Sequence, residues 1–164
     1  MLDLLQGGAM EITFWLGYLG LVSTLCITDL RNGLLPDRFT LKLLWLGLLY
    51  QLVLHPVQLQ DAVIGAITGY LSLWSIGWLW KLIRHRDGIG YGDYKLLAAL
   101  GAWHGWLSLP GIIIIATLSG LAIACGRLCI GLPQTWSTPL RFGPMLIAGG
   151  LVTACLPILV RHLP

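Results

Sequence analysis

Charged side chains are scarce in this chain, and their scarcity excludes the class of water-soluble domains. Asp, Glu, Lys and Arg together make up 10% of the 164 residues, whereas hydrophobic residues make up 57%. A soluble domain carries about 25% charged residues, so this chain has too few to cover a surface in contact with water. The mean hydropathy of +0.81 points the same way. The sequence therefore predicts a single-domain integral membrane protein.

Three further absences narrow the range of functions. No cluster of Lys and Arg is large enough to form a nucleic-acid-binding surface, so no nucleic-acid partner is expected. The four cysteines form no Cys-x-x-Cys pair, and neither a zinc site, a redox motif nor any other cofactor is predicted. No basic residue precedes Arg31, so the N-terminus lacks the charged region of a cleavable signal peptide.

Prolines, glycines and polar residues divide the chain into six hydrophobic segments. The segments span residues 12–28, 39–54, 62–83, 93–107, 111–130 and 144–160, after a leader of about ten residues. The third segment is long enough to cross a hydrocarbon core of about 30 Å at about 1.5 Å per residue, whereas the second and fourth are short. The sequence predicts an all-α bundle of six transmembrane helices, formed by residues 1–164 as one domain.

The placement of the basic residues predicts how the bundle is oriented. Nine of the ten Lys and Arg residues flank the first, third and fifth loops between the segments. Loops that carry an excess of Lys and Arg face the cytoplasm. With six spans, the N- and C-termini are then both expected on the periplasmic side.

Glycine and tryptophan positions indicate how the helices pack and where they meet the membrane surface. Gly65-x-x-x-Gly69 and Gly101-x-x-x-Gly105 predict small-residue faces at which two helices approach closely. Several of the eight tryptophans, Trp103 among them, stand near segment ends. Tryptophan is enriched at membrane–water interfaces, so these residues are predicted to be interfacial anchors.

Two of the seven acidic residues stand at the same predicted membrane border. Asp29 ends the first segment, and Asp93 begins the fourth, directly after Gly90 and Gly92. Glycine tolerates backbone angles that other residues avoid, so an unwound stretch is expected before Asp93. Two carboxylates held close together in a low-dielectric site cannot both ionise, so one can act as a base while the other donates a proton. This pattern predicts hydrolysis by activated water, without a metal or a covalent nucleophile.

Other roles for these two aspartates stay open at the level of residues. Each can serve as a helix cap or pair with a nearby cation, Asp29 with Arg31 and Asp93 with Lys95. Acids in membrane segments also carry protons or ions in transporters and proton-relay subunits. Both aspartates lie at one border rather than in the middle of a segment, and this favours hydrolysis over transport.

Three stretches of the chain resemble one protease family. Residues 90–93 (GYGD) resemble the GxGD motif of membrane aspartyl proteases, and their setting up to residue 103 resembles the type IV prepilin leader peptidases. Asp29, followed by residues 34–37 (LLPD), is similar to the first catalytic aspartate of that family with its downstream Leu-Pro-Asp. Residues 141–144 (RFGP) resemble a third, weaker family stretch. The Leu-Pro-Asp stretch separates this chain from the presenilin-like GxGD proteases.

The resemblance implies an endopeptidase of the bacterial inner membrane, with Asp29 and Asp93 as its catalytic pair. Its substrates would be type IV prepilins or type II secretion pseudopilins, whose short basic leader is cut off at the cytoplasmic face, after a glycine. Substrate-binding or supporting residues would be Gly90, Gly92, Lys95, Pro36 and Asp37. The chain lacks the cysteine-rich insert of bifunctional members, so a short form without N-methyltransferase activity is expected. An inactive assembly subunit of the same fold is the remaining alternative.

Overall fold

The computed structural model describes residues 2–84, 90–129 and 141–161, and within these ranges the regular structure is helical. The α helices are α1 (Leu2–Asn32), α2 (Asp37–Leu54), α3 (Leu59–Arg84), α4 (Tyr91–His104), α5 (Leu109–Cys129) and α6 (Gly143–Arg161). Single 3-10 turns at Pro56–Gln58 and Trp106–Ser108 lead into α3 and α5. The predicted all-α class is confirmed, and each predicted segment corresponds to one of these helices.

The first helix is longer at both ends than the predicted segment 12–28. It begins at Leu2, because the Leu, Gln, Ala and Met residues of the leader are good helix formers. It continues past Asp29 to Asn32 and ends at Gly33, which has a φ of 65°. The backbone N–H of Gly33 donates to the carbonyl of Asp29 at 2.8 Å, a usual way for a glycine to end a helix. Asp29 therefore lies within the last turns of α1.

Several helices have the length and surface of membrane-spanning segments. Among the described residues, three helical stretches are long and apolar enough to cross a bilayer: 8–32, 56–84 and 106–127. Large apolar side chains on their outer faces are exposed, such as Ile12 at 62% and Leu118 at 60%. A continuous apolar exterior of this kind is suited to lipid rather than to water. The protein is a membrane protein.

The fourth helix forms the centre of the bundle, and its most extensive contact is with α3. Leu96, Leu97 and Leu100 of α4 have no exposed surface. A Cβ atom at Gly101 would overlap the backbone of Gly65, and a Cβ at Gly69 would lie 2.7 Å from the carbonyl oxygen of Leu97. The two small-residue faces predicted from the sequence therefore pack against each other, as expected of helices that approach backbone to backbone.

Trp103 belongs to the core, so its assignment as an interfacial anchor is wrong. It is 3% exposed and stacks on Tyr50 with ring centroids 5.1 Å apart. Its indole N–H donates to the carbonyl oxygen of Leu43 at 2.9 Å, and the ring fills the space left by the missing side chain of Gly47. A tryptophan can be buried when its N–H finds an acceptor of this kind. Trp45, in contrast, is 62% exposed on the outer face of α2.

Candidate active site

The end of α1 places the first aspartate inside the protein. Asp29 is only 5% exposed, and its Oδ2 atom is buried without a hydrogen-bond partner in the described part of the chain. The start of α6 packs against this carboxyl group, since a Cβ atom at Gly143 would lie 2.7 Å from Oδ2. The charge of Arg141 acts attractively on Asp29 from the same side. Buried polar atoms are nearly always satisfied, so the unpartnered oxygen marks Asp29 as a functional candidate.

The start of α4 places the second aspartate. Gly90 is the N-cap residue, with an extended backbone conformation, and Asp93 is the third residue of the helix. Asp93 therefore lies in the first helical turn, and the alternative that it is the N-cap residue is excluded, because Gly90 holds that position. The backbone N–H of Asp93 donates to the Gly90 carbonyl at 3.1 Å, and Asp93 is 9% exposed.

The glycines before Asp93 matter because they lack a side chain and so leave room for close contacts, and not because they adopt unusual backbone angles. Gly90 has a φ of −68°, which any residue adopts, and Gly92 is helical. The expected unwound stretch therefore includes Gly90, which is extended, but not residues 91 and 92, which are helical; Gly88 lies outside the described residues. A Cβ atom at Gly92 would lie 2.7 Å from the Cβ of Leu35, so the glycine allows the loop between α1 and α2 to contact α4.

Asp29 and Asp93 line one cavity of about 1130 Å³ at this end of the bundle. The two carboxylates are close enough for their charges to repel each other. The walls of the cavity are formed by the end of α1 and the loop after it, by the starts of α2, α4 and α6, and by the last turns of α5. The cavity is larger than the roughly 300–1,000 Å³ of most small-molecule sites, so it has room for a segment of polypeptide.

Leu35 connects the two aspartate-bearing parts of the site. Its side chain touches α4 at Gly92, and its Cδ1 atom would lie 3.3 Å from a Cβ atom at Gly143, the residue that packs on Asp29. Leu35 thus lies between the first turn of α4 and the first turn of α6. Any change in this side chain is expected to alter how closely Asp29 and Asp93 approach each other.

Lys95 pairs with a different aspartate from the one considered in the sequence. Its Nζ atom lies 2.6 Å from Oδ2 of Asp37, at the start of α2, and both residues line the cavity. The interpretation that Lys95 is the ion-pair partner of Asp93 is therefore wrong. Pro36 is the N-cap residue of α2, and its carbonyl accepts hydrogen bonds from the backbone N–H groups of Phe39 and Thr40. Pro36 thus shapes the loop that holds Leu35 and Asp37 at the cavity.

Sequence reasoning missed four residues of the site. Leu35, Arg127, Arg141 and Gly143 were assigned no role, although all four lie at the cavity or against Asp29. The signal that could have found three of them was present, because Leu35 precedes the Pro-Asp pair and residues 141–144 form the third resembling stretch. Arg127 carried no signal, since it reads as an ordinary basic residue in the last turn of a helix.

A profile of the type IV leader peptidase family matches residues 15–125, which make up more than half of the chain and include both aspartates. The chain belongs to the type IV leader peptidase family. Family membership agrees with the helical membrane architecture and with the paired carboxyl groups at one end of the bundle.

Curated relatives within the leader peptidase family share about half of their aligned residues with this chain. The prepilin leader peptidase/N-methyltransferase of Pectobacterium carotovorum subsp. carotovorum is 47% identical over 134 residues, which cover 81% of this chain and 47% of that protein. The protein of the same name from Burkholderia pseudomallei (strain 1026b) is 52% identical over 131 residues, or 76% of this chain and 40% of that protein. The leader peptidase HopD of Escherichia coli is 45% identical over 145 residues, or 86% of this chain and 91% of HopD.

The chain therefore spans about half the length, or somewhat less, of its two bifunctional relatives and most of the length of HopD. No solved structure matches the chain.

Proposed function

We propose that this protein is an aspartic endopeptidase that removes the leader peptide from type IV prepilins or from the pseudopilins of type II secretion. The observation that carries the proposal is the pair of buried carboxyl groups, Asp29 at 5% and Asp93 at 9% exposure, that line one peptide-sized cavity. Membership of the leader peptidase family and the names of the relatives support the same substrate class.

The proposed mechanism uses the two aspartates as an acid and a base. Because their charges repel each other in a site shielded from solvent, the pair holds one proton. The ionised aspartate takes a proton from a water molecule, whose oxygen attacks the carbonyl carbon of the scissile peptide bond. The protonated aspartate donates a hydrogen bond to the carbonyl oxygen. The base then passes the proton it took from water to the peptide nitrogen, the C–N bond breaks, and the two products are released with a new amine and a new carboxyl group.

We assign the role of base to Asp29. The charge of Arg141 acts attractively on its carboxyl group and favours the ionised form, which is the form that can accept a proton from water. Asp93 lies in the first turn of α4 and is the proton donor in this assignment. The two residues titrate as one pair, so each apparent titration step belongs to both.

We also propose that all six helices cross the inner membrane, with both termini in the periplasm. Of the nine basic residues that flank the first, third and fifth loops, the eight that the structure describes lie in or near the helix ends on the side of Asp29 and Asp93, as expected for the cytoplasmic side. The active site is then at the cytoplasmic border. A substrate with a cationic leader and an apolar stem would present the junction between them at this depth.

The supporting residues have distinct proposed roles. Gly92 allows the loop before α2 to contact the start of α4, Gly90 is the N-cap residue of α4 beside Asp93, and Pro36 fixes the loop. Asp37 carries a negative charge at the cavity and is 59% exposed. We assign it to the binding of the cationic leader, in competition with Lys95.

Cleavage of a prepilin by the purified protein in liposomes tests the proposal. The wild-type protein is compared with Asp29→Asn and Asp93→Asn, which keep the side-chain size and remove the ionisation. Asp61→Asn is the matched control, because Asp61 lies at the opposite end of the bundle, where it accepts a hydrogen bond from Trp106.

We expect cleavage after the leader by the wild type and by Asp61→Asn, and no cleavage by either active-site variant, with unchanged helix content. If both active-site variants cut as fast as the wild type, the aspartates are structural and the mechanism is wrong. A wild type that cuts no prepilin would favour a transporter or an inactive assembly subunit.

A further inference from the structure

The two halves of α5 have different surroundings. Towards its N-terminus, Leu109, Ile112 and Ala116 are buried, at 4%, 0% and 0% exposure. Towards its C-terminus, apolar side chains are uncovered, with Leu121 at 60% and Ile123 at 48% exposure. The bundle therefore packs against the first half of α5 and leaves much of the second half accessible.

One face of this second half belongs to the cavity of the two aspartates. Ser119, Ile123 and Arg127 all line the cavity, and they are spaced four residues apart. Residues at this spacing lie on the same side of a helix, one turn above the next. At about 1.5 Å per residue, the face is about 12 Å long and extends the cavity along the helix axis. Leu121, although more exposed than Ile123, is not part of this lining.

The start of α6 forms the opposite wall. Met145 and Ala148 line the cavity, and both are apolar. The two helices touch at the inner end of this region, since a Cβ atom at Gly120 would lie 2.8 Å from the sulfur of Met145. Ser119, Ile123, Arg127, Met145 and Ala148 thus line a groove that belongs to the same cavity as the two aspartates, with three apolar side chains among the five.

We propose that this α5 groove, formed by Ser119, Ile123 and Arg127 with Met145 and Ala148, binds the apolar stem of the substrate next to the scissile bond. The inference rests on the proposed function. Residues 106–127 are long and apolar enough to lie within the membrane, and a polypeptide at that depth must satisfy its backbone groups internally. An apolar helix is therefore the occupant that fits, and its polar leader would pass the aspartates towards Asp37.

Site-specific crosslinking tests where the stem lies. A photoreactive p-benzoylphenylalanine residue is placed at Ile123 or, as the matched control, at Leu121, in protein that also carries Asp29→Asn so that the substrate is not consumed. With a full-length prepilin in liposomes, we expect the probe at position 123 to crosslink to the stem at least several-fold more than the probe at 121. Excess unlabelled prepilin should abolish this crosslink. Equal crosslinking from both positions would overturn the proposal.

Blocking the groove in active protein provides a second test. We expect Ile123→Trp to lower kcat/KM for a full-length prepilin by about 10-fold, since a bulky ring overpacks a fitted surface. Cleavage of a soluble peptide that contains the leader and only the first few residues after the cut should change little. Leu121→Trp should leave both substrates unaffected.

The outcomes of these experiments distinguish a failure of the proposed α5 groove from a failure of the proposed function. A wild-type protein that cleaves prepilin, combined with equal rates for Ile123→Trp and Leu121→Trp, would overturn the α5 groove alone. A wild-type protein that cleaves neither substrate would overturn the proposed function itself, and with it the assignment of the groove.

Discussion

Gly143 offers the sharpest test of the active-site geometry, because adding one methyl group there moves a single carboxyl group. A Cβ atom at this position would lie 2.7 Å from Oδ2 and 3.2 Å from Cγ of Asp29, whereas ordinary contact begins at 3.4 Å. The oxygen must therefore retreat by about 0.7 Å. The Cδ1 atom of Leu35, at 3.3 Å from the added Cβ, restricts relief on the other side.

The size of the expected effect follows from this displacement. A misplacement of about 1 Å in a reacting group can cost about 100-fold in rate, so Gly143→Ala should lower kcat by roughly 10- to 100-fold. The substitution should hardly alter KM, because the leader and the stem are bound elsewhere in the cavity. Alanine is the better helix former by about 1 kcal/mol, so the thermal stability should not fall enough to explain the loss.

Two other glycine substitutions complete the experiment. Gly20→Ala lies on α1, the same helix as Asp29, with no atom within 4 Å of the added Cβ, and should leave kcat unchanged. Gly90→Ala places its Cβ 3.4 Å from Oδ2 of Asp93, an ordinary contact, and should cost no more than about threefold. The assay is steady-state cleavage of a prepilin by each variant in liposomes, with unfolding followed in parallel. Full activity of Gly143→Ala would refute the reasoning that the position of Asp29 limits the reaction.

Three further substitutions test the fold and the cavity rim. Gly69→Ala forces a methyl group against a backbone carbonyl of α4, so we expect the protein to lose about 1–3 kcal/mol of stability. The loss should appear as a lower Tm in detergent, and an unchanged Tm would contradict the close α3–α4 contact. Trp103→Phe removes the buried hydrogen bond to Leu43 and should cost about 1–2 kcal/mol in the same measurement, whereas a neutral result would mean that this bond is not formed. Lys95→Met frees the carboxylate of Asp37 and should lower KM for a prepilin with a basic leader, with kcat unchanged. The Tm should also stay the same, because exposed ion pairs add little stability. A raised KM would assign Lys95 itself to substrate binding.

Much of the helical layout could be predicted because its causes are local. Hydrophobic segments separated by Pro, Gly and polar residues predicted the order of the helices, and the two Gly-x-x-x-Gly patterns predicted faces that do pack together. The ends of the helices were less accurate. The leader joins α1, and α4 stops at His104 rather than near residue 107, because Gly105 adopts a φ of 75°. Such ends depend on single residues rather than on the average character of a segment.

The environment of each site residue could be predicted only in part. The placement of Asp29 and Asp93 at one border followed from segment order and charge, and the structure places both in one cavity. The partner of Lys95 is Asp37, which comes from another helix, and Trp103 is buried because Gly47 leaves space for it. No pattern within a single segment contains information of this kind.

Composition, segment pattern and motifs are enough to identify an α-helical membrane protein of the leader peptidase family with two aspartates at one end of its helices. Composition and hydrophobic segments suffice for this, because the bilayer requires every spanning segment to satisfy its own backbone hydrogen bonds. The tertiary structure alone decided that Gly143 packs on Asp29, that Leu35 lies between α4 and α6, and that one face of α5 opens into the cavity. These contacts join residues far apart in the chain, and they exist only once the helices have packed and a missing side chain on one has made room for an atom of another.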